Sequence, residues 1–151
     1  MNSVRKALPS DLAKILELGS DIQEFSVAEE TVDFWPEAVL RDALVSSDVV
    51  ILVATNNMAI TGFIIASLSK SLRKATIENI FVSSSMRNQG IGAQLVSNLL
   101  DILQTHGIEY VATLVPPSAH GAQALYTNAG FTKGELFLWL DKPLSAAFQT
   151  D

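Results

Sequence analysis

Ile80-Phe-Val-Ser-Ser-Ser-Met-Arg-Asn-Gln-Gly-Ile-Gly-Ala93 reads as the end of an apolar strand, a short polar loop and a helix that opens on two glycines. A helix start carries unpaired backbone N–H groups and the positive end of the dipole, so this junction attracts a diphosphate. Gly90 and Gly92 lack a Cβ and let the backbone approach such a ligand closely. From Gly90 onward, Ile91, Leu95, Val96, Leu99, Ile102 and Leu103 repeat at helical spacing as far as Gly107, which serves as a C-cap.

Outward toward the N-terminus, Ala75 to Val82 alternates as a strand, with Ile77, Asn79 and Phe81 assigned to one face and Thr76, Glu78, Ile80 and Val82 to the other. Before it, Asp48 to Thr55 and Ile60 to Leu68 read as a hairpin across the Asn56-Asn57 turn, and Lys70 to Lys74 form a basic turn. Val4 to Leu8 supplies an opening strand. Pro9-Ser10-Asp11 starts a helix with Leu12, Ile15, Leu16 and Gly19 on its buried face, and Pro36 opens another with Val39, Leu40, Ala43 and Leu44. Between these helices, residues 24 to 35 hold Phe25, Phe34 and Trp35 without clean periodicity, a segment suited to rim a pocket.

Outward toward the C-terminus, Ile108 to Val115 reads as a strand ended by Pro116-Pro117, and Ser118 to Asn128 as a short helix closed by Gly130. Phe131 to Leu140, interrupted near Gly134, gives a last strand or hairpin. The expected fold class is therefore mixed α/β, with an antiparallel meander first and a strand-helix-strand unit second. A chain of 151 residues fits one domain, here residues 1–143, with 144–151 as a frayed tail.

Composition narrows the function. With 48% hydrophobic and 17% charged residues the chain suits a globular protein. Ten basic against sixteen acidic residues, a net charge of −6, disfavour nucleic acid and anionic membranes as partners and lean toward cationic ones. The longest apolar run, Val49 to Ala54, cannot span a bilayer, and no apolar segment follows the N-terminus, so a cytoplasmic location is expected. Cysteine is absent, which removes disulfides, thiolate metal sites and a cysteine nucleophile. His106 and His120 have no companion ligands at fixed spacing, so no metal site is expected.

Two phosphate motifs are excluded at the loop. A Walker sequence requires Lys-Ser/Thr after the last glycine, where Ala93-Gln94 stand; a dinucleotide fingerprint requires a third glycine at Leu95 and an acidic residue ending the next strand, and Val111 to Val115 contains none. What remains, Arg87-x-x-Gly90-x-Gly92-Ala93, resembles the acetyl-coenzyme A loop of the GNAT acetyltransferase superfamily. The resemblance covers nearly the whole chain: Val4 to Leu12 looks like the family's opening strand and helix, Thr61-Gly-Phe63 like its third strand, and Leu125-Tyr126-x-x-x-Gly130-Phe131 like its C-terminal signature.

The resemblance implies a central, mostly antiparallel mixed sheet flanked by helices, and acetyl-coenzyme A as the acyl donor. It places the coenzyme pyrophosphate on Arg87, Asn88, Gln89, Gly90, Ile91, Gly92 and Ala93, and the pantetheine arm along Ile80, Phe81 and Val82 where the two strands flanking the helix splay apart. The Val82 N–H becomes the candidate oxyanion donor, and Tyr126 the candidate general acid toward the coenzyme sulfur. Glu78, the one ionisable side chain on its strand face beside the loop, is the candidate general base, directly or through water, because an alkyl ammonium group titrating near ~10 must lose a proton before attack. Plainer roles exist for each: a solvent-facing Arg87, a Glu78 salt-bridged to Arg73 or Lys74, a Tyr126 that packs. One departure is Ala119, seven residues before the tyrosine, where many relatives carry asparagine; Ser118 and His120 flank it.

The function so implied is transfer of an acetyl group to a primary amine of a small molecule, a protein N-terminus or a lysine, by direct attack in a ternary complex. The alternative is a non-catalytic acyl-coenzyme A binding or sensing module. A homodimer is open, with the apolar last strands as its available surface.

Overall fold

The computed structural model describes residues 1–22 and 34–148. Five strands, β1 (Asn2–Lys6), β2 (Val49–Asn56), β3 (Ala59–Ser69), β4 (Lys74–Val82) and β5 (Tyr110–Thr113), form one sheet in sequential order. The first four are antiparallel and β5 is parallel to β4. Among the described residues there are four α-helices: α1 (Leu12–Gly19), α2 (Glu37–Ala43), α3 (Ile91–Thr105) and α4 (His120–Asn128).

The apolar character of β2 and β3 on both sides follows from their place at the centre. Val50, Leu52, Ala54, Ile64, Ala66 and Leu68 face the layer of α3 and α4, whereas Ile51, Val53, Phe63 and Ile65 face α1 and α2. A strand covered twice has no solvent face to mark with polar residues. The helix α3 buries Ile91, Leu95, Val96, Leu99 and Leu103, none more than 2% exposed. That stripe alone fixes the strand-helix-strand unit against the sheet.

Near the chain start, Pro9–Asp11 forms a 3-10 turn that feeds α1. Asp11 holds it there: its carboxylate accepts two hydrogen bonds from Arg5, at 2.7 and 3.1 Å, and one from the Leu8 N–H at 2.7 Å. The hydrogen bond from Arg5 lowers the Asp11 carboxyl below its ordinary value, with burial opposing and the Leu8 N–H and the Arg5 charge assisting. Gly19 closes α1 because the Phe34 ring lies where a Cβ would stand.

The structure corrects the expected alternation of β4. Its register with β3 jumps from Ile65↔Asn79 to Ala66↔Ile77, which leaves Glu78 as the extra residue of a β-bulge. Ile77 therefore packs in the same layer as Ile80 and Val82, against α3, while Phe81 packs toward α1 and α2. Strict period-2 reading fails here because a bulge shifts the phase by one residue. A second shift, between Ala54 and Thr55, displaces Thr61.

Smaller differences follow local geometry. The β2–β3 turn lies on Asn57 and Met58, both with positive φ (50° and 71°), one residue later than Asn56-Asn57. The helix α4 starts at His120, not Ser118, because Gln123 Nε2 donates to the Pro116 and Pro117 carbonyls at 3.2 and 2.8 Å and holds the intervening loop open. The expected last strand over Phe131 to Leu140 is not formed: this stretch pairs with none of the five strands. Among the described residues no helix is long and apolar enough to cross a membrane.

Candidate active site

The site is built where β4 and β5 part. Their parallel pairing runs from Lys74↔Tyr110 to Ile77↔Thr113 and stops, although β4 continues to Val82. The Thr113 hydroxyl donates to the Ile77 carbonyl at 3.0 Å and pins the last rung. Beyond it Glu78, Asn79 and Ile80 on one side, and Thr113, Leu114, Val115 and Pro116 on the other, line a cleft floored by Ala122 and Tyr126.

Backbone direction within this gap can be read from one bond. The Ser83 N–H donates to the Thr61 carbonyl on β3 at 2.8 Å. Strand N–H and C=O groups alternate between edges, so Val82 and Ile80 turn theirs away from β3, toward the side β5 has vacated. The Val82 carbonyl is occupied: Arg87 Nε donates to it at 2.9 Å. The Val82 and Ile80 N–H groups face the opening. Gly62 permits this strand geometry, since a Cβ on it would stand 2.6 Å from the Phe81 carbonyl oxygen.

After β4, Ser84–Met86 makes a 3-10 turn, Asn88 adopts φ +62°, and Gly90 caps α3 at φ +78°. The Gln94 N–H donates to the Gly90 carbonyl, and no side chain caps the helix start. The N–H groups of Ile91, Gly92 and Ala93 precede the first intrahelical donor, which is the arrangement an anionic group requires. The Ile91 side chain is buried in the core, so only its backbone is available there; Arg87, Asn88, Gln89 and Ala93 are exposed. Arg87 is neither free nor buried: besides its bond to Val82, its guanidinium stands 5.6 Å over the Phe81 ring. Gly92 has a structural task too, because a Cβ there would press the Leu125 side chain of α4 at 3.3 Å.

Glu78 accepts a 2.5 Å hydrogen bond from the Ser67 hydroxyl on β3. The bulge turns it from the layer of Ile80 and Val82, so the shared face expected from alternation is lost. Of its two expected ion-pair partners, Arg73 pairs with Glu109 at 3.1 Å and Lys74 Nζ stands 5.7 Å over the Tyr110 ring. Half-buried Glu78 and buried Tyr126 reach the same cleft from opposite layers of the sheet. Burial pushes the Tyr126 phenol up to about 12, with the Thr113 hydroxyl acting in the opposite direction. Its ring packs against Phe131 at 5.2 Å between centroids.

Sequence reasoning missed the polar support of this cleft. Trp35 Nε1 donates to Asn79 Oδ1 at 2.7 Å across 44 residues of sequence, next to an aromatic row of Phe34, Phe63 and Phe81 with centroids 5.7 and 6.1 Å apart. Nothing local links Trp35 to Asn79; the bond forms because β4 presents Asn79 on the same face as Phe81, toward the layer that holds Phe34 and Trp35. Phe34 and Trp35 pack against the core on the Phe81 side of the sheet and do not themselves line the cleft, while Phe25 lies outside the described residues. Among the described residues no group of three or more His, Cys, Asp or Glu could hold a metal ion.

The fold has counterparts among solved structures. The aminoglycoside acetyltransferase AAC(6')-Iy, solved with a bisubstrate analogue of coenzyme A, superposes with a TM-score of 0.78 at 18% identity, covering 95% of this chain and 99% of that one. The ribosomal-protein-S18-alanine N-acetyltransferase of Escherichia coli matches with a TM-score of 0.72 at 24% identity, over 89% and 80% of the two chains. An aminoglycoside acetyltransferase from an uncultured soil metagenomic sample matches with a TM-score of 0.74 at 18% identity, over 95% and 97%. A search of the curated proteins finds no significant sequence match. The sequence model of the acetyltransferase (GNAT) family matches residues 15–131, from the middle of α1 to the phenylalanine that packs on Tyr126. With most of its length matched, the chain belongs to the GNAT family of acetyltransferases.

Proposed function

We propose that the protein moves the acetyl group of acetyl-coenzyme A to a primary amine by direct attack in a ternary complex. The observation that carries this reading is the end of β4–β5 pairing at Ile77 and Thr113, one residue before Glu78 and at the mouth of the cleft that Tyr126 floors. The residues fit the donor. Free N–H groups at the start of α3 suit its diphosphate, and the outward N–H groups of Ile80 and Val82 suit the amide-bearing arm. The coenzyme supplies an activated thioester.

Glu78, oriented by Ser67, takes a proton from the acceptor ammonium, directly or through water. The neutral amine forms the new C–N bond with the Val82 N–H turned toward the thioester oxygen, and as the C–S bond breaks the second nitrogen proton passes to the coenzyme thiolate, leaving a neutral amide and free thiol. Tyr126 stays protonated at neutral pH, because burial raises its phenol, and donates to the departing thiolate. No cysteine exists in the chain to carry an acetyl group, so kinetics are sequential.

The acceptor is read as a cationic amine. The net charge of −6 favours one, and the neighbouring structures include enzymes named for aminoglycosides and for a ribosomal protein alanine. A thiol-release assay with acetyl-coenzyme A over a panel of aminoglycosides, polyamines and peptides with free N-termini tests this. Release with one class and intersecting double-reciprocal plots are expected. Thermal stabilisation by acetyl-coenzyme A with no release from any amine would instead establish a binding module, the outcome that Ala119 in place of the usual asparagine favours.

A further inference from the structure

Ile77 and Ile80 both pack in the layer of α3, so the bulge leaves the two side chains between them for the other face of β4. A regular strand would have sent one to each face. Both find partners there: Glu78 accepts from Ser67, which lies two residues beyond Ile65 on the face of β3 turned toward α1 and α2, and Asn79 accepts from Trp35 in that same layer. Asn79 also lines the cleft at the parted edge, whereas Trp35 does not.

The Trp35 bond decides how the Asn79 carboxamide is turned. An indole N–H only donates, so Oδ1 faces Trp35 and the NH2 group faces away from it. Trp35 is itself held, standing immediately before Pro36, whose carbonyl takes the Leu40 N–H in the first turn of α2. Among the described residues the Asn79 NH2 has no acceptor, and it is not sealed in, because the one buried side-chain polar atom without a partner is Asn2 Oδ1. A free donor thus stands beside the Glu78 carboxylate, on a Cα only ~3.8 Å from that of Glu78.

This pair has a chemical complement. Resting on the assignment of Glu78 to the acceptor ammonium, we propose that Asn79 is a specificity-determining residue, positioned by Trp35, whose NH2 donates to an oxygen on the carbon next to the one bearing the amine. The site therefore prefers acceptors with an N–C–C–O unit over plain alkyl amines. In that unit nitrogen and oxygen are separated by a span comparable to that between neighbouring Cα atoms, so two consecutive side chains hold both. The unit occurs in 2-amino sugars and at a peptide N-terminus, and it is absent from alkyl polyamines.

The test compares 2-methoxyethylamine with butylamine, equal in chain length, the first carrying an ether oxygen that only accepts. The ratio of their kcat/KM values is measured in wild type, N79D and W35F, and comparison between proteins cancels the unequal basicity of the amines. N79D keeps an oxygen for the Trp35 N–H but exchanges the free donor for an acceptor; W35F keeps an aromatic ring but releases the carboxamide. The ratio is expected to fall about fivefold in N79D, the size of one hydrogen bond, and by a smaller factor in W35F. Equal ratios in wild type and N79D overturn the proposal and leave acetyl transfer standing; a ratio unchanged in W35F overturns the positioning role of Trp35. The same comparison with glucosamine and alaninamide assigns the oxygen to a sugar hydroxyl or a peptide carbonyl, and a loss with neither overturns the proposal. Binding is read separately from turnover. In isotope-labelled protein with coenzyme A, the Asn79 side-chain NH2 resonance is expected to shift with 2-methoxyethylamine and not with butylamine. If no amine is acetylated, the acetyl-transfer reading fails and this resonance decides alone; one that does not move overturns the proposal. If N79D fails to accumulate, W35F and the resonance decide.

Discussion

At the scale of single residues, Tyr126 joins stability to chemistry. Its phenol is raised to about 12 by burial, above an ordinary value of 10.0, so the folded state favours the neutral form. That contribution is complete below pH 10 and is lost as pH climbs toward 12. Melting curves of wild type and Tyr126→Phe between pH 8 and about 12 should therefore converge at the alkaline end if the variant starts less stable, the wild type losing more. In the assay, Tyr126→Phe should lower kcat with little change in coenzyme affinity; an equal loss in both would assign the ring to packing. Glu78→Gln should reduce kcat by about 10²–10⁴, with rescue as pH rises and the amine loses its proton unaided. A rate unchanged at neutral pH would remove Glu78 from the mechanism. Asp11 works the opposite way in pH: lowered chiefly by the Arg5 hydrogen bond, its contribution is present above the ordinary carboxyl value and fades as pH falls below it. Asp11→Asn should be less stable than wild type at pH 7, with the gap closing below about pH 4.

Elements explain why two strands and one loop are shaped as they are. The bulge at Glu78 shifts the register on the β3 side of β4, where pairing resumes from Asn79 to Val82, at the position where β5 departs on the other. Both irregularities fall within two residues of each other, and together they bring a carboxylate of one sheet layer and a phenol of the other to a common opening. Gly62 keeps the downstream half of β4 close to β3; Gly62→Ala sets a methyl 2.6 Å from the Phe81 carbonyl oxygen and should destabilise by about 1–3 kcal/mol, read by denaturant unfolding. Gly90→Ala meets open space but a positive φ, so its cost should be nearer 1–2 kcal/mol, a backbone cost of roughly that size. If the α3 start holds the coenzyme diphosphate, that variant should also weaken acetyl-coenzyme A binding in calorimetry.

For the whole molecule the governing fact is one sheet between two helical layers. α3 contributes the larger apolar stripe, and Leu95, fully buried at its centre, should cost about 2–5 kcal/mol on replacement by alanine, measured by denaturant unfolding. The two layers meet at the parted edge of β4 and β5, so the active cleft and the unfilled β5 edge are neighbouring consequences of one topology.

The sequence alone determined the mixed α/β class, α1, α2 and α3, the antiparallel meander and the glycine-opened helix after β4, because each rests on local signals: apolar periodicity, proline and glycine punctuation, and turn chemistry. It also brought Glu78, Val82 and Tyr126 forward as the residues to examine. Tertiary structure decided the rest. The bulge that moves Glu78 to another face, the Trp35–Asn79 bond, the Ser67 hydroxyl on Glu78 and the end of pairing at Thr113 all depend on partners on other elements, which only strand pairing and packing bring together. The same reason governs residues 134–140. Their alternating leucines and aromatics read as a strand, but a strand is completed by hydrogen bonds to a neighbour. Among the described residues that neighbour is missing.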